Sequence, residues 1–200
     1  MTALVAPAPV GAPGLGALLL GLIAFAAALL WVHFRRGRGG ESGAQDGNPS
    51  RLGTWLQAAG FLAVAAGPLR PTLQAGSAAA VGEAVLVAML AGACVGIFLS
   101  AASAMGSNWS FAARIRRDHD LVTWGPFATI RHPIYTGLFA LLLAVALALG
   151  HWRGLVLGLP LFAYGTWVRV QAEERLLHIR FGREYDAYAA RVKRFLPGAF

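Results

Sequence analysis

From Gly82 to Met105 the chain is almost wholly apolar. At 1.5 Å per residue, a helix of that length crosses the roughly 30 Å of hydrocarbon in a bilayer. Such a run leaves few folds open, because backbone polar groups in hydrocarbon must be satisfied within their own segment, as a helix does. Four further stretches read the same way: Leu15–Phe34, Leu52–Leu69, Pro133–Leu149 and Gly154–Val170. Only 13% of residues are charged and 57% are hydrophobic, against about a quarter charged in soluble domains. A soluble globular class is therefore excluded. The expected fold is an all-α integral membrane protein of about five transmembrane helices. The last two would form a helical hairpin turned at Gly150-His151-Trp152-Arg153, and a C-terminal cytoplasmic interfacial helix would follow.

Residues 1–14 are rich in Ala, Pro and Gly and carry no Lys or Arg, which suits a disordered leader. Residues 15–105 hold the three N-terminal helices. Ala24-Phe25-Ala26 mimics a signal-peptide cleavage site, but the basic n-region is missing and apolar residues continue past it. Gln57, Gly60 and Gly67 interrupt the second stretch, which Arg70-Pro71 stops. In the third, Ala88, Gly92, Gly96, Ser100 and Ala104 recur every four residues and form a small-residue face of the kind on which helices pack backbone to backbone. The lone cysteine, Cys94, reads as a small packing residue and excludes an intrachain disulfide. Pro160 is expected to kink the fifth stretch.

Charge placement gives the orientation. Lys and Arg number none before the first stretch, then four (35, 36, 38 and 51), one (70), four (114, 116, 117 and 131), one (153), and seven from 169 onward. Fifteen of the seventeen thus fall on one side of a five-span arrangement. By the positive-inside rule that side is cytoplasmic, with the N-terminus outside. Lys193 is the only lysine among abundant Arg, Ala and Gly. That composition suits a GC-rich bacterial genome and so an inner-membrane location.

The most specific chemistry lies at Arg131-His132-Pro133. Pro is favoured at the first position of a helix, so a helix should start there, its free N–H groups opening among cationic and aromatic side chains where an anion could dock. The same residues could equally flank a span at the headgroup level. Asp118-His119-Asp120 suggests a metal site but lacks enough ligands in fixed spacing, so it reads as a solvated loop and no metal is expected. No Gly-x-Gly-x-x-Gly, P-loop or Ser-His-Asp grouping occurs, and no nucleic-acid partner is expected. In the tail, Tyr185, Tyr188, Ala189, Val192 and Phe195 line one helical face opposite basic residues, the pattern of a helix at a membrane surface.

Four pieces taken in order carry a family resemblance. They are Leu121-Val122-Thr123-x-Gly125-Pro126, Arg131-His132-Pro133-x-Tyr135-x-Gly137, Glu173-Glu174-x-x-Leu177 and Phe181-Gly182-x-Glu184-Tyr185-x-x-Tyr188-x-x-Arg191-Val192. Together they resemble the isoprenylcysteine carboxyl methyltransferase family, which is related to the membrane phospholipid N-methyltransferases. The likeness runs from about Asn108 to Pro197, and Phe127 stands where the family usually has tyrosine.

The resemblance implies that 106–200 is a catalytic region with a cofactor loop, a transmembrane hairpin and a closing helix. S-adenosylmethionine would bind on its cytoplasmic side. A lipophilic or lipidated acceptor would enter from the bilayer, among membrane lipids. Leu121, Val122, Gly125 and Pro126 would form the loop entering the cofactor site, and His132, Pro133, Tyr135 and Gly137 would shape it. Glu173 and Glu174 would be the other wall, with Arg131, Arg175 and Arg191 candidates for the cofactor carboxylate or an acidic acceptor. Adjacent helical residues project about 100° apart, so only one glutamate is expected to face the pocket, the alternative being a solvated pair bound to Arg169 or His178. The implied reaction is methyl transfer to a carboxylate or hydroxyl of a lipid-like acceptor. Methylation of a phospholipid amine is one alternative, and a non-catalytic membrane assembly protein another.

Overall fold

The computed structural model describes residues 7–36, 49–106 and 120–198, and these are mostly helical. The helices are α1 (Ala12–Arg36), α2 (Pro49–Ala65), α3 (Ala78–Met105), α4 (Pro133–Ala148), α5 (Leu155–Phe181) and α6 (Arg183–Arg191), with 3-10 turns at Gly125–Ala128 and Trp152–Gly154. Helices α1 and α3 are long and apolar enough to cross a membrane. Their outer faces expose Leu20, Ile23, Phe34, Val85 and Met89, and α5 adds Leu157. A water-soluble chain buries such residues, so this surface fits an integral membrane protein.

Helix α4 is the centre of the packing. Nine of its sixteen residues are buried, and Leu142, Ala144, Val145, Ala146 and Ala148 share a core with Leu18 of α1, Val64 of α2, Val87 of α3 and Phe162 of α5. Pro133 begins it, as its fixed φ and missing N–H favour. Gly150, at φ 69°, makes the turn that follows, in a backbone region glycine enters without steric cost.

Several expectations change in detail. Residues 7–11, assigned to a disordered leader, are hydrogen-bonded: Ala8 N–H donates to Gly150 O, Val10 N–H to Arg70 O, and Leu73 N–H to Val10 O. Val10 is also buried, so this edge is sealed by packing as well as by hydrogen bonds. Helix α2 ends at Ala65, before Arg70-Pro71, and α5, which holds Pro160 inside it, continues past Val170 to Phe181. The hairpin of α4 and α5 is looser than expected, because the close backbone neighbour of α5 is α2. Glycines explain this. A Cβ on Gly60 would lie 2.7 Å from Gly158 O, and one on Gly165 would lie 2.7 Å from Gly53 O. Beside them Gln57 donates to Thr166 Oγ1 at 2.8 Å, so the polar break in α2 is satisfied by α5.

The small-residue face of α3 is not where helices close on one another. Ala88, Gly92, Gly96 and Ser100 are exposed. Among the described residues nothing lies within 4 Å of a Cβ built on Gly92 or Gly96. Helix α3 packs instead through Val87, Ala91, Cys94, Phe98, Ala101 and Ala102.

Candidate functional site

Because α4 and α5 stay apart as backbones, the gap at one end between them is filled by side chains. Residues 130–132 lead into α4, while the chain after α6 returns alongside them. Ile130 and Lys193 form a parallel bridge, Arg131 N–H donates to Lys193 O at 2.8 Å, and His132 N–H donates to Arg194 O at 2.9 Å. Helix α5, prolonged beyond the apolar stretch, carries Arg169, Glu173 and Glu174 into the same space.

His132 is the meeting point. Its ring stands between both glutamates, Nδ1 at 3.6 Å from Glu173 Oε2 and Nε2 at 3.1 Å from Glu174 Oε1. Both glutamates therefore turn toward the His132 ring. The two imidazole nitrogens point in different directions, so one ring spans two carboxylates that project about 100° apart on a helix. Neither glutamate pairs with His178, which holds Asp186 at 2.9 Å and so ties α5 to α6. Arg169 does approach Glu173, at 3.7 Å one turn away.

The cluster extends well past these three residues. Arg131 Nη1 reaches Glu174 Oε1 at 3.0 Å and donates to Tyr185 Oη at 3.1 Å. Arg194 forks onto Glu174, Nε to Oε1 at 3.0 Å and Nη2 to Oε2 at 2.6 Å. Tyr135 donates its hydroxyl to Glu173 and accepts from Arg169 Nε at 2.8 Å. The sequence reading did not assign site roles to Arg169, Tyr185 or Arg194. Tyr185 stood within a quoted motif, whereas Arg194 is one basic residue among several and carried no signal of its own.

Electrostatics follow from this geometry. Burial works against the charged form of His132, but the carboxylates of Glu173 and Glu174 beside its two ring nitrogens outweigh it and raise its pKa above the ordinary value. Burial likewise opposes ionisation of Glu174. Hydrogen bonds from His132 and Arg194, with their charges and that of Arg131, nevertheless hold it down at about 2. Burial first, then the nearby Glu174 charge, pushes the Tyr185 phenol up to about 12, so it stays a donor at neutral pH.

Not every expected residue enters the cluster. Pro133 starts α4 and is fully buried, while Gly137 faces α3, where a Cβ would lie 3.4 Å from the Cys94 backbone. Leu121, Val122 and Pro126 are half-buried and Gly125 is exposed, at φ 63°. Among the described residues no hydrogen bond or ion pair joins the side chains of Leu121, Val122 or Pro126 to His132 or the glutamates. Their loop is instead tied to α6, where Tyr188 donates to Phe127 O at 2.7 Å. Of the Asp118-His119-Asp120 cluster, the first two lie outside the described residues and Asp120 is exposed. Among the described residues no group of three or more His, Cys, Asp or Glu could hold a metal ion.

Comparison with known proteins bears on these residues directly. The model of the isoprenylcysteine carboxyl methyltransferase (ICMT) family matches residues 85–179, which include α4, His132, Glu173 and Glu174 but not α6 or Arg194. A protein-S-isoprenylcysteine O-methyltransferase of Schizosaccharomyces pombe is 32% identical over 109 residues, covering 52% of this chain and 46% of that protein. A protein of the same name from Tribolium castaneum is 31% identical over 98 residues, covering 46% of this chain and 34% of its own length. The chain thus spans less than half the length of either relative, and the family match covers His132, Glu173 and Glu174. The family resemblance read from the four motif pieces is borne out.

Proposed function

We propose that this chain, which carries the isoprenylcysteine carboxyl methyltransferase family's block at residues 85–179, is an integral membrane methyltransferase. It would use S-adenosylmethionine to methylate a carboxylate on a prenylated or otherwise lipid-like acceptor. One observation carries the reading: His132 and Glu174, 42 positions apart in sequence, meet at 3.1 Å in a buried ionic cluster within the matched block.

The side chains present fit such a donor. The glutamate pair supplies a carboxylate for its cationic groups, and Arg131 has a buried Nε with no hydrogen-bond partner, a free donor for a carboxylate. The loop of Leu121, Val122, Gly125 and Pro126, with Pro133, Tyr135 and Gly137 along α4, would frame the donor beside the membrane. When bound, the donor supplies an electrophilic methyl group. The residues of the chain then have to align two partners and keep water out.

Charge favours a carboxylate acceptor over an amine. Arg131, Arg169 and Arg194 outnumber Glu173 and Glu174 in the cluster even with His132 neutral. A cationic surround attracts an anion and disfavours an ammonium. A carboxylate is already nucleophilic, so no general base is required, whereas an ammonium would first have to lose a proton. In this reading five helices span the membrane with the cluster on the cytoplasmic side, and α6 lies at the surface as a lid.

The test uses purified protein in detergent. Calorimetry should show binding of S-adenosylmethionine or its demethylated product, and labelled donor should transfer methyl to a prenylcysteine acid. The product label should be released as methanol by base, as an ester's is. Base-stable label on phosphatidylethanolamine would show amine methylation instead, and absence of binding to either form of the donor would overturn the reading.

A further inference from the structure

Glu173 and Glu174 differ in how far the protein already occupies them. Glu174 Oε1 accepts from Arg194 Nε at 3.0 Å and lies 3.1 Å from His132 Nε2 and 3.0 Å from Arg131 Nη1, and Oε2 accepts from Arg194 Nη2 at 2.6 Å. A carboxylate has about four acceptor positions, so Oε1 is taken up by the protein and Oε2 shared with Arg194. Glu173 receives one hydroxyl, that of Tyr135. Its charged neighbours stand off, Arg169 at 3.7 Å and His132 at 3.6 Å, too far for direct hydrogen bonds. Its side chain is 26% exposed against 12% for Glu174.

The residue that completes Glu174 is Arg194, and both its side chain and its backbone are held. The guanidinium lies over the Trp167 ring at 5.2 Å while forking both Glu174 oxygens. Trp167 and Glu174 are two turns apart on α5, so one arginine grips a single face of that helix. Its backbone is held as well, since its carbonyl accepts from His132 N–H and the next carbonyl, Phe195 O, accepts from Thr136 Oγ1 at 3.3 Å. The Phe195 ring packs near the His132 ring, with centroids 6.0 Å apart. A ligand cation arriving at Glu174 would have to displace a bidentate, stacked arginine. At Glu173 it would meet an oxygen with no direct hydrogen bond to the protein.

We infer that the two glutamates divide the work: Arg194 is a positioning residue that commits Glu174 to holding His132 and Arg131, and Glu173 is the carboxylate that meets the cationic part of the donor. The inference rests on the reading that the cluster binds S-adenosylmethionine. Arg194 acts only through Glu174 and touches no ligand.

The experiment measures S-adenosylmethionine affinity by calorimetry, together with the thermal unfolding midpoint, for wild type and variants in one detergent and at one pH. Glu173→Gln should weaken binding about tenfold or more, the scale of a charged hydrogen bond, while lowering the midpoint less than Glu174→Gln does. Arg194→Gln and Glu174→Gln should lower the midpoint and weaken binding, and their combination should lose less than the product of the two. Arg194→Gln combined with Glu173→Gln should instead multiply. Arg194→Lys should restore only part of the loss, since an ammonium keeps the charge but not the fork or the stacking.

Glu173→Gln within about twofold of wild type, below half a decade of affinity, would overturn the division. So would complete rescue by Arg194→Lys. If Arg194→Gln does not fold, Arg194→Lys and the two glutamine variants decide the matter alone. Wild type that binds no donor is a different result, because it removes the proposed function itself.

Discussion

His132 has a carboxylate near each ring nitrogen, and the sign of its pKa shift sets a pH window for the folded state. A histidine whose folded value is raised contributes stability that is fully present below its unfolded value near 6.5. That stability is lost as pH rises through the folded value. Glu174, held at about 2, contributes above its ordinary 4.5 and loses the contribution as pH falls through about 2. The thermal midpoint in detergent should therefore fall as pH climbs from neutral. His132→Gln should flatten that alkaline slope, and Glu174→Gln should flatten the acid one. An alkaline slope unchanged in His132→Gln would show that the ring is not held by the two carboxylates. Truncation is harsher than neutralisation. Glu174→Ala leaves Arg131, His132 and Arg194 without their counter-charge in a nearly buried place, at a cost of about 3–5 kcal/mol, visible as a lower midpoint even without ligand.

Helices α2 and α5 approach closely because Gly53, Gly60, Gly158 and Gly165 carry no side chains where their backbones meet. Gly60→Ala places a methyl 2.7 Å from Gly158 O and should destabilise by about 1–3 kcal/mol through overpacking. Gly96→Ala meets open space on α3 and should be neutral or stabilising by up to about 1 kcal/mol, from better helix propensity. Equal damage from both substitutions in thermal unfolding would mean that the α3 face is covered in the membrane after all. The contrast also marks what the sequence could convey. The every-fourth-residue spacing on α3 says that close approach is possible there, not that a helix takes it up, whereas the α2–α5 contact joins segments about 100 residues apart with no periodic link between them. The end of α3 and both ends of α4 were legible because apolarity and Pro133 mark them locally, whereas α3 starts at Ala78, four residues before Gly82, capped by Ser77. The end of α5 was not, since hydropathy fades at Val170 while a charged helix continues. His132 and the glutamate pair were reached through motif resemblance. Arg194 was hidden because its role depends on where the chain returns after α6.

At the scale of the molecule, charge and geometry point to the same end. Arg131, Arg169 and Arg194 gather at the His132 cluster. At the other end of α4 the ties are between backbones or from a histidine to backbone carbonyls: Ala8 N–H to Gly150 O at 2.8 Å, and the His151 ring against Val64 O at 3.0 Å and Pro68 O at 3.1 Å. Fifteen of seventeen Lys and Arg fall on the cluster's side in the five-span arrangement. The weak point of that arrangement is α4, whose 16 residues reach only about 24 Å of the roughly 30 Å of hydrocarbon. Its position answers the difficulty, because α4 is packed among α1, α2 and α3 and meets lipid little. A helix surrounded by protein is not held to the bilayer thickness, as one facing lipid is. The arrangement therefore predicts that a reporter fused after Phe200 reads cytoplasmic and one inserted before Leu15 reads external. A cysteine placed at half-buried Arg153 should react with a membrane-impermeant thiol reagent from outside, and one placed at exposed Arg183 only after permeabilisation. Cys94 is buried and gives no background. Both reporters on one side would refute five spans. Outside labelling at position 183 with none at 153 would reverse the orientation and put the His132 cluster on the external face, away from a cytoplasmic supply of the donor.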